Sequence, residues 1–520
     1  MFKKVIKDIF AIKSKPSKTK GENSSHPVSA NLETVKAEVR KVLGNSTDLI
    51  LRELLIANGA RPALLVFLEN MVDLDIINEA IIGKLQIAPK ESLDNADKLA
   101  NSALATSKVT VTDNLASALQ QVLYGNSVIF VDGFNQALVT ETIGYQNRNI
   151  MPPQTEPNIE GPNDGLVESL KINLTLIRRR LVDKDLRFEQ FTVGTRSNTL
   201  VVVGYLAGVA DPSIVAEVKR RLKAIKIDAV QGTETIIEYF FDNPLSLFPL
   251  VLKTERPDNV VSCLLEGRVV VIVDGYPFAI TVPTTFAEFM QAGDDYYQNF
   301  YFATFTRILR YFTFVATLIL PSFYIALVTH HWEMLPTALA LTIAGSREGV
   351  PFPVVLEVFF MEVTFEILRE AGVRLPRAVG QAVSIVGALV LGQSAVQAGL
   401  VSPSVVIVVA FTGIASFSIP KYNATVPLRL LRFPLMFITA LFGLPGLVAA
   451  TLAIWGYMAG LTSFGVPYLA PLTPMQGKDF KDTVYRLPRW AMVNRPQSVP
   501  SMDSKRVKPF IPPGGGDQDE

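Results

Sequence analysis

The stretch "VIFVDGFNQAL" at Val128–Leu138 returns, altered but recognisable, as "VVIVDGYPFAI" at Val270–Ile280. Two short β-rich runs joined through Asp-Gly are the strongest local sign of a hairpin, so Asp132-Gly133 and Asp274-Gly275 predict two tight turns, each glycine tolerating positive φ. Extended leftward, "LYGNSVIFVDGFNQAL" and "LEGRVVVIVDGYPFAI" share seven of sixteen positions, including Leu123/Leu265 and Gly125/Gly267. Further upstream, "FLENMVDLDIINEAI" from Phe67 lies against "YLAGVADPSIVAEVK" from Tyr205, matching Leu68/Leu206, Asp73/Asp211, Ile76/Ile214 and Glu79/Glu217. In both places an apolar run precedes the aspartate and a helix-period segment follows it. A period of about 140 residues is too long for a solenoid repeat and fits two similar α/β domains side by side.

The rest of the chain has a different character. Residues 30–300 mix charged and apolar side chains, whereas residues 311–466 hold several apolar runs near bilayer-spanning length, so the expected fold is a duplicated α/β cytoplasmic region followed by an all-α multispanning membrane domain. The expected layout is a basic tail (1–30), a first α/β subdomain (31–150), a Pro-rich linker with an Arg-rich helix (151–182) and a second subdomain (183–300). A membrane domain (301–472) and a basic, then flexible tail (473–520) follow.

A formal net charge of +1 gives no nucleic-acid footprint. The N-terminal "MFKKVIKDIFAIKSKPSKTK" reads as a mobile tail or as a lysine patch on anionic lipid, and it lacks a secretory signal's long apolar core and cleavage site, so the soluble half is expected in the cytoplasm. Cys263 is the single cysteine, so no internal disulfide framework is expected. The three histidines, His26, His330 and His331, have no cysteine or carboxylate at ligand spacing, and no P-loop or dinucleotide glycine pattern follows a strand. No metal, cofactor or enzymatic chemistry is expected.

Spans are expected near 311–329, 378–400 and 402–420, with a broken or re-entrant stretch at 334–367 where Gly345, Arg347, Glu348 and two prolines interrupt the apolar sequence. Pro321 predicts a kink in the first span. The block 433–466, with "GLPG" at Gly443–Gly446, is either a helical hairpin or one long tilted helix. Arg369, Arg374, Arg377, Lys421, Arg429, Arg432, Lys478, Lys481, Arg486 and Arg489 flank the apolar runs and mark cytoplasmic ends, so the crossings should be even in number.

Two groups of polar residues in the apolar half carry the functional expectations. Glu362 and Glu366 lie one turn apart, with Glu357 before them and Arg369 close enough to pair with Glu366. They fit a cation-attracting vestibule or an interfacial helix with solvated charges. The run 378–400 sets Gln381, Ser384, Gln393, Ser394 and Gln397 among glycines such as Gly387. That composition fits a narrow wet path, bordered by Val386 and Val390, or interhelical hydrogen bonding without a pore. In the soluble half, Arg178, Arg179 and Arg180 either bind a neighbouring domain or end a helix in solvent.

"GPNDGLVESLKINLTLIRRRL" (161–181), "SREGVPFP" (346–353), "EVTFEILREAGVRLPRAVGQAVSIVGALVLGQSAVQAGLVSP" (362–403) and "SFGVPYLAPLTP" (463–474) resemble the A subunits of the GerA-type spore germinant receptors. The resemblance runs from about residue 40 to 495. It departs at Glu160 and Asn163, where the family usually has basic residues around the Gly-Pro. It implies a protein of the spore's inner membrane that acts with a transporter-like B subunit and a lipoprotein C subunit. It further implies a homo-oligomer able to form a channel for monovalent cations; a non-conducting scaffold for the partner subunits is the alternative.

Overall fold

The computed structural model describes residues 27–144, 152–374, 390–477 and 479–506. They fall into two compact units. One holds the chain up to Pro244, Val251–Pro283 and the part from Pro488 onward; the other holds Leu245–Leu250 and Thr284–Leu487.

The first unit contains two five-stranded antiparallel sheets. One is built from β1 (Leu49–Ile56), β2 (Arg61–Leu68), β3 (Val109–Thr112), β4 (Ser127–Val131) and β5 (Ala137–Thr140), in the order β1-β2-β4-β5-β3. The other is built from β6 (Leu186–Val193), β7 (Thr199–Leu206), β8 (Leu252–Thr254), β9 (Val269–Val273) and β10 (Ala279–Val282), in the order β6-β7-β9-β10-β8. The second order is the first with every strand advanced by five, so the repeat is a repeat of topology. Backbone partners coincide as well: Gly133 donates to the Ala30 carbonyl and Gly275 to that of Glu168, while Asp132 donates to Pro62 and Asp274 to Leu200.

The central strands read as continuous apolar runs because both faces of each sheet are covered. On one face of the first sheet lie α1 (Leu32–Leu43) and α2 (Leu115–Leu123), which contribute Val35, Val39, Leu119 and Val122 to a core with Leu64, Val66 and Phe130. The other face is covered by Ile77, Ile81, Leu85 and Leu99 against Leu65, Ile129 and Leu138. Each such side chain taken from water contributes about 1.5–3 kcal/mol. In the second copy α3 (Leu170–Arg180) and α5 (Pro257–Leu265) fill the places of α1 and α2, with Leu170, Leu174, Ile177 and Leu264 in its core. The aspartates matched between the two copies are caps: Asp73 accepts from the amides of Asp75 and Ile76, and Asp211 from that of Ser213 at the start of α4 (Pro212–Ala224).

Three expectations change. The Asp-Gly turns open five-residue connections rather than closing tight ones; in the first of them Phe134 folds back into the core from the loop after Gly133, whose φ is +81°. The Arg-rich helix is the first helix of the second copy and not a linker, since its Leu170/Leu174/Ile177 stripe faces the second sheet. The segment beyond Pro488 is not a free tail as far as it is described: Val499 is buried, and Arg495 donates from Nε to the Leu265 carbonyl at 2.7 Å.

The second unit is dominated by helices: α6 (Phe300–Thr329), α7 (Thr337–Arg347), α8 (Val354–Arg374), α9 (Pro403–Phe417) and α10 (Tyr422–Gly460). By length and composition α6 and α10 are able to cross a membrane; α9 is apolar but shorter, and α8 carries Glu357, Glu362, Glu366, Arg369, Glu370 and Arg374. The helix α6 begins eleven residues before the expected span and stays unbroken through Pro321. The interruption expected within 334–367 is the non-helical stretch between α7 and α8.

Helix α10 is two arms that meet at Gly443, where φ +62° and ψ −147° leave helical geometry. Arg432 of the first arm donates to the Thr317 carbonyl at 3.1 Å, and the Ala440 carbonyl lies 2.9 Å from His330 Nε2, so this arm advances along α6. The amide of Leu444 then meets His331 Nε2 at 3.3 Å, while the Trp455 ring returns to Phe286, itself 4.9 Å from the Phe314 ring. The block therefore doubles back as a hairpin against α6. Such a reversal orphans carbonyls of one arm and amides of the next, and the two histidines meet one of each.

Candidate functional site: ion pairs between the helices

Helix α8 turns three of its four carboxylates towards its neighbours, and each of the three is matched by arginine. Glu357 accepts from Arg347 Nη2 at 3.1 Å through one oxygen and from the Ser402 amide at 2.9 Å through the other. Glu362, with no exposed side-chain surface, pairs with the buried Arg432, whose Nε holds Thr317 of α6. Glu366 accepts from Arg429 Nε at 2.8 Å. Arg369 reaches only to 4.0 Å of Glu366 and instead donates to Ser416 Oγ of α9 at 2.8 Å, stacked over the Phe417 ring.

The physical reason for this matching is desolvation. A carboxylate held among apolar helices costs several kcal/mol unless a cation and further hydrogen bonds replace its water. The sequence alone assigns Arg429 and Arg432 to the flank of a span; the structure uses them to hold α10 on α8. The signal that could have found them is their spacing of three residues on an apolar helix, which repeats the near-helical spacing of Glu362 and Glu366.

The set is not neutral. Glu357, Glu362 and Glu366 face Arg347, Arg369, Arg429 and Arg432, one guanidinium more than carboxylates, so the carboxylates do not present a bare acidic ring in this arrangement. Among the described residues, Glu362 Oε1, Glu366 Oε1, Arg369 Nη1 and Thr317 Oγ1 are buried without a hydrogen bond, the middle two facing each other at 4.0 Å. These atoms lie on groups that join the helices, so the polar groups of this place are only partly satisfied by one another. A second cluster, invisible to the sequence reading, lies at the start of α6: Arg307 binds Asp295 and Asp482 at 2.8 Å each, and Arg310 shares Asp295.

Of the path residues expected from sequence, Gln381, Ser384, Val386 and Gly387 lie outside the described residues. Residues 390–397 are helical, and Val390, Gln393 and Gln397 are exposed on the single chain. In the other unit Arg178 is buried and bidentate on Asp48, at 2.9 and 3.1 Å, with Ser46 Oγ at 3.0 Å and its guanidinium 4.9 Å from the Phe188 ring centre. It thereby ties the first subdomain to the second. Arg180 pairs with Asp164, and Arg179 points outward. Asp274 accepts from the Leu170 amide at 3.1 Å, an α3 contact beyond its turn role. Among the described residues no group of three or more His, Cys, Asp or Glu is gathered for a metal.

A family model described as Bacillus/Clostridium GerA spore germination protein matches residues 37–498. The chain belongs to the GerA spore germination protein family. Spore germination protein KA of Bacillus subtilis is 41% identical over 92% of this chain and 88% of its own length. GerLA of Bacillus cereus is 38% identical over 91% and 96%, and the uncharacterized membrane protein YfkQ of Bacillus subtilis 38% over 91% and 92%. The crystal structure of the N-terminal domain of the A subunit of the Bacillus megaterium spore germinant receptor GerK3 aligns with a TM-score of 0.38 and 26% identity, over 51% of this chain and 99% of that one. As a GerA-family member this chain is a spore germination protein of the membrane-associated A type.

Proposed function

We propose that this GerA-family chain is the membrane subunit of a nutrient germinant receptor and that several copies enclose a gated path for monovalent cations. In this reading α6, α8, the run 378–400, α9 and both arms of α10 lie in the spore's inner membrane, with the duplicated α/β region on the core side. A transporter-like B subunit and a lipoprotein C subunit are its partners. The observation that carries the reading is the outward face at Val390, Gln393 and Gln397. Glutamines are poorly tolerated by lipid, so exposed on a helix of a membrane unit they call for a wet path or a neighbouring copy. The residues Gln381, Ser384, Val386 and Gly387 belong to the same proposed path, with Glu362 and Glu366 behind it as paired supports.

The test is cation flux from liposomes holding the purified chain with and without its partner subunits, beside a mass measurement of the assembly. A closed ring whose flux responds to germinant only with partners present supports the channel. A chain that never conducts under either condition overturns it. One observation favours a second reading, a non-conducting scaffold that transmits motion from the partners: Glu357, Glu362 and Glu366 all serve helix–helix pairing.

A further inference from the structure

The two copies of the α/β fold are completed in different ways. In the first, the chain leaves β5 and runs back beside the loop after β2. Thr142 accepts from the Asp73 amide at 2.8 Å, Gly144 donates to the Met71 carbonyl at 3.3 Å, and Val72 pairs antiparallel with Ile143. In the second copy the counterparts of Met71, Val72 and Asp73 are Val209, Ala210 and Asp211, and those of Thr142–Gly144 are Thr284–Phe286. That exit segment does not run back. It enters the helical unit, where the Thr284 amide donates to Ser463 Oγ at 3.1 Å and that of Phe286 to the Tyr468 carbonyl at 2.7 Å.

The place beside Val209 and Ala210 is nevertheless filled, by residues more than two hundred positions later. Met502 donates to the Val209 carbonyl at 2.9 Å, as Gly144 does to Met71, and Ala210 pairs antiparallel with Ser501, as Val72 does with Ile143. The glycines facing the two slots also correspond. Gly125 has φ +94° and Gly267 +91°, and a Cβ on Gly267 would come within 3.1 Å of Ser501 Cβ. Around this contact the segment is built to present itself. Asn494 pairs with Lys505, the Arg506 amide donates to Val493, Arg495 gathers the carbonyls of Asp503 and Lys505, and Arg506 lies 3.6 Å from Glu266.

We infer that residues 493–506 are a clasp that supplies, from the far end of the same chain, the edge segment the second subdomain gives up to its connection with the helical unit. The slot at Val209, Ala210 and Gly267 is thus a binding site for a short extended peptide, and this chain's own C-terminal segment is its occupant. The inference rests on the correspondence of the two copies and is independent of whether the helical unit conducts.

The experiment follows amide hydrogen exchange at 206–212 in the full chain purified in detergent, with the equivalent 68–74 of the first copy as internal control. Met502→Pro, which removes the amide that donates to Val209, should speed exchange at 206–212 by about tenfold or more and leave 68–74 unchanged. A chain ending at Leu487 should show the same loss, and a synthetic 493–506 peptide should restore protection where its Met502→Pro form does not. Unchanged exchange in the Met502→Pro chain overturns the proposal even if the truncated chain fails to fold. An Ala210→Cys, Ser501→Cys pair should cross-link within one chain, while a cross-linked dimer would refute the single-chain arrangement.

Discussion

Breaking the Glu362–Arg432 pair from one side should be among the most damaging single changes in the helical unit. Replacing Arg432 by methionine keeps length and apolar stem but leaves Glu362 with no exposed surface and no cation, and frees the Thr317 carbonyl. Loss of one member of a buried pair costs about 3–5 kcal/mol, mostly because the remaining charge is stranded. At roughly 2–4 °C per kcal/mol for a unit of this size, the expected fall in Tm is about 6–20 °C. The double replacement Glu362→Leu with Arg432→Met removes both charges and should recover most of that loss, since an apolar pair of similar volume is often as stable as the ion pair. Thermal unfolding of the detergent-purified wild type, the two singles and the double gives the cycle. If Arg432→Met alone shifts Tm by less than about 2 °C, or the double is as unstable as the sum of the singles, the pair is not the tie described here.

Arg178→Lys should destabilise the α/β unit by about 3 kcal/mol, because a lysine cannot reproduce the fork on Asp48 and Ser46, and urea unfolding followed by circular dichroism would register it. Gly443→Ala should cost about 1–3 kcal/mol at the hairpin reversal, since a Cβ there meets His331 Nε2 at 2.9 Å in a backbone region suited to glycine; a normal Tm would contradict this. Replacing Val386 or Val390 by alanine should produce ion release without germinant, and unchanged release across such a panel counts against a path along 378–400. The Asp503 carboxyl is held below its ordinary 3.8 by the Lys505 amide and then by Arg495, so its contribution is fully present above that value and is lost as pH falls through the lower folded value. Trp490 fluorescence, read with the other two tryptophans changed to phenylalanine, should therefore stay constant down to about pH 4 and change only below it.

The duplication was legible because its signals are local. Asp-Gly after an apolar run and a glycine before it specify backbone conformations, and Gly125, Gly133, Gly267 and Gly275 all take the positive φ that such positions demand. Strand order was not legible, because which edges pair depends on the helices laid over them. The carboxylates of α8 were found by composition, but their partners were not. Arg369 is the nearest basic residue in sequence to Glu366, yet the carboxylate is bound from α10, sixty-three positions away. A residue such as Arg432 reads identically as a topology marker or as a buried counter-ion until the helix opposite is known. The Asp295–Arg307–Asp482 cluster had no signal at all, since its members come from three separate stretches of chain.

The pairing of Met502 with Val209 also sets an order of events during synthesis. The first subdomain has its own edge segment once Gly144 has left the ribosome, and can close that edge while the rest is being made. The second cannot close until residue 502 emerges, after all of Thr284–Leu487 has been translated. Its last edge is therefore set only on a chain whose helical unit is already complete, so a nascent chain stalled within the helices would carry one finished α/β copy and one still open.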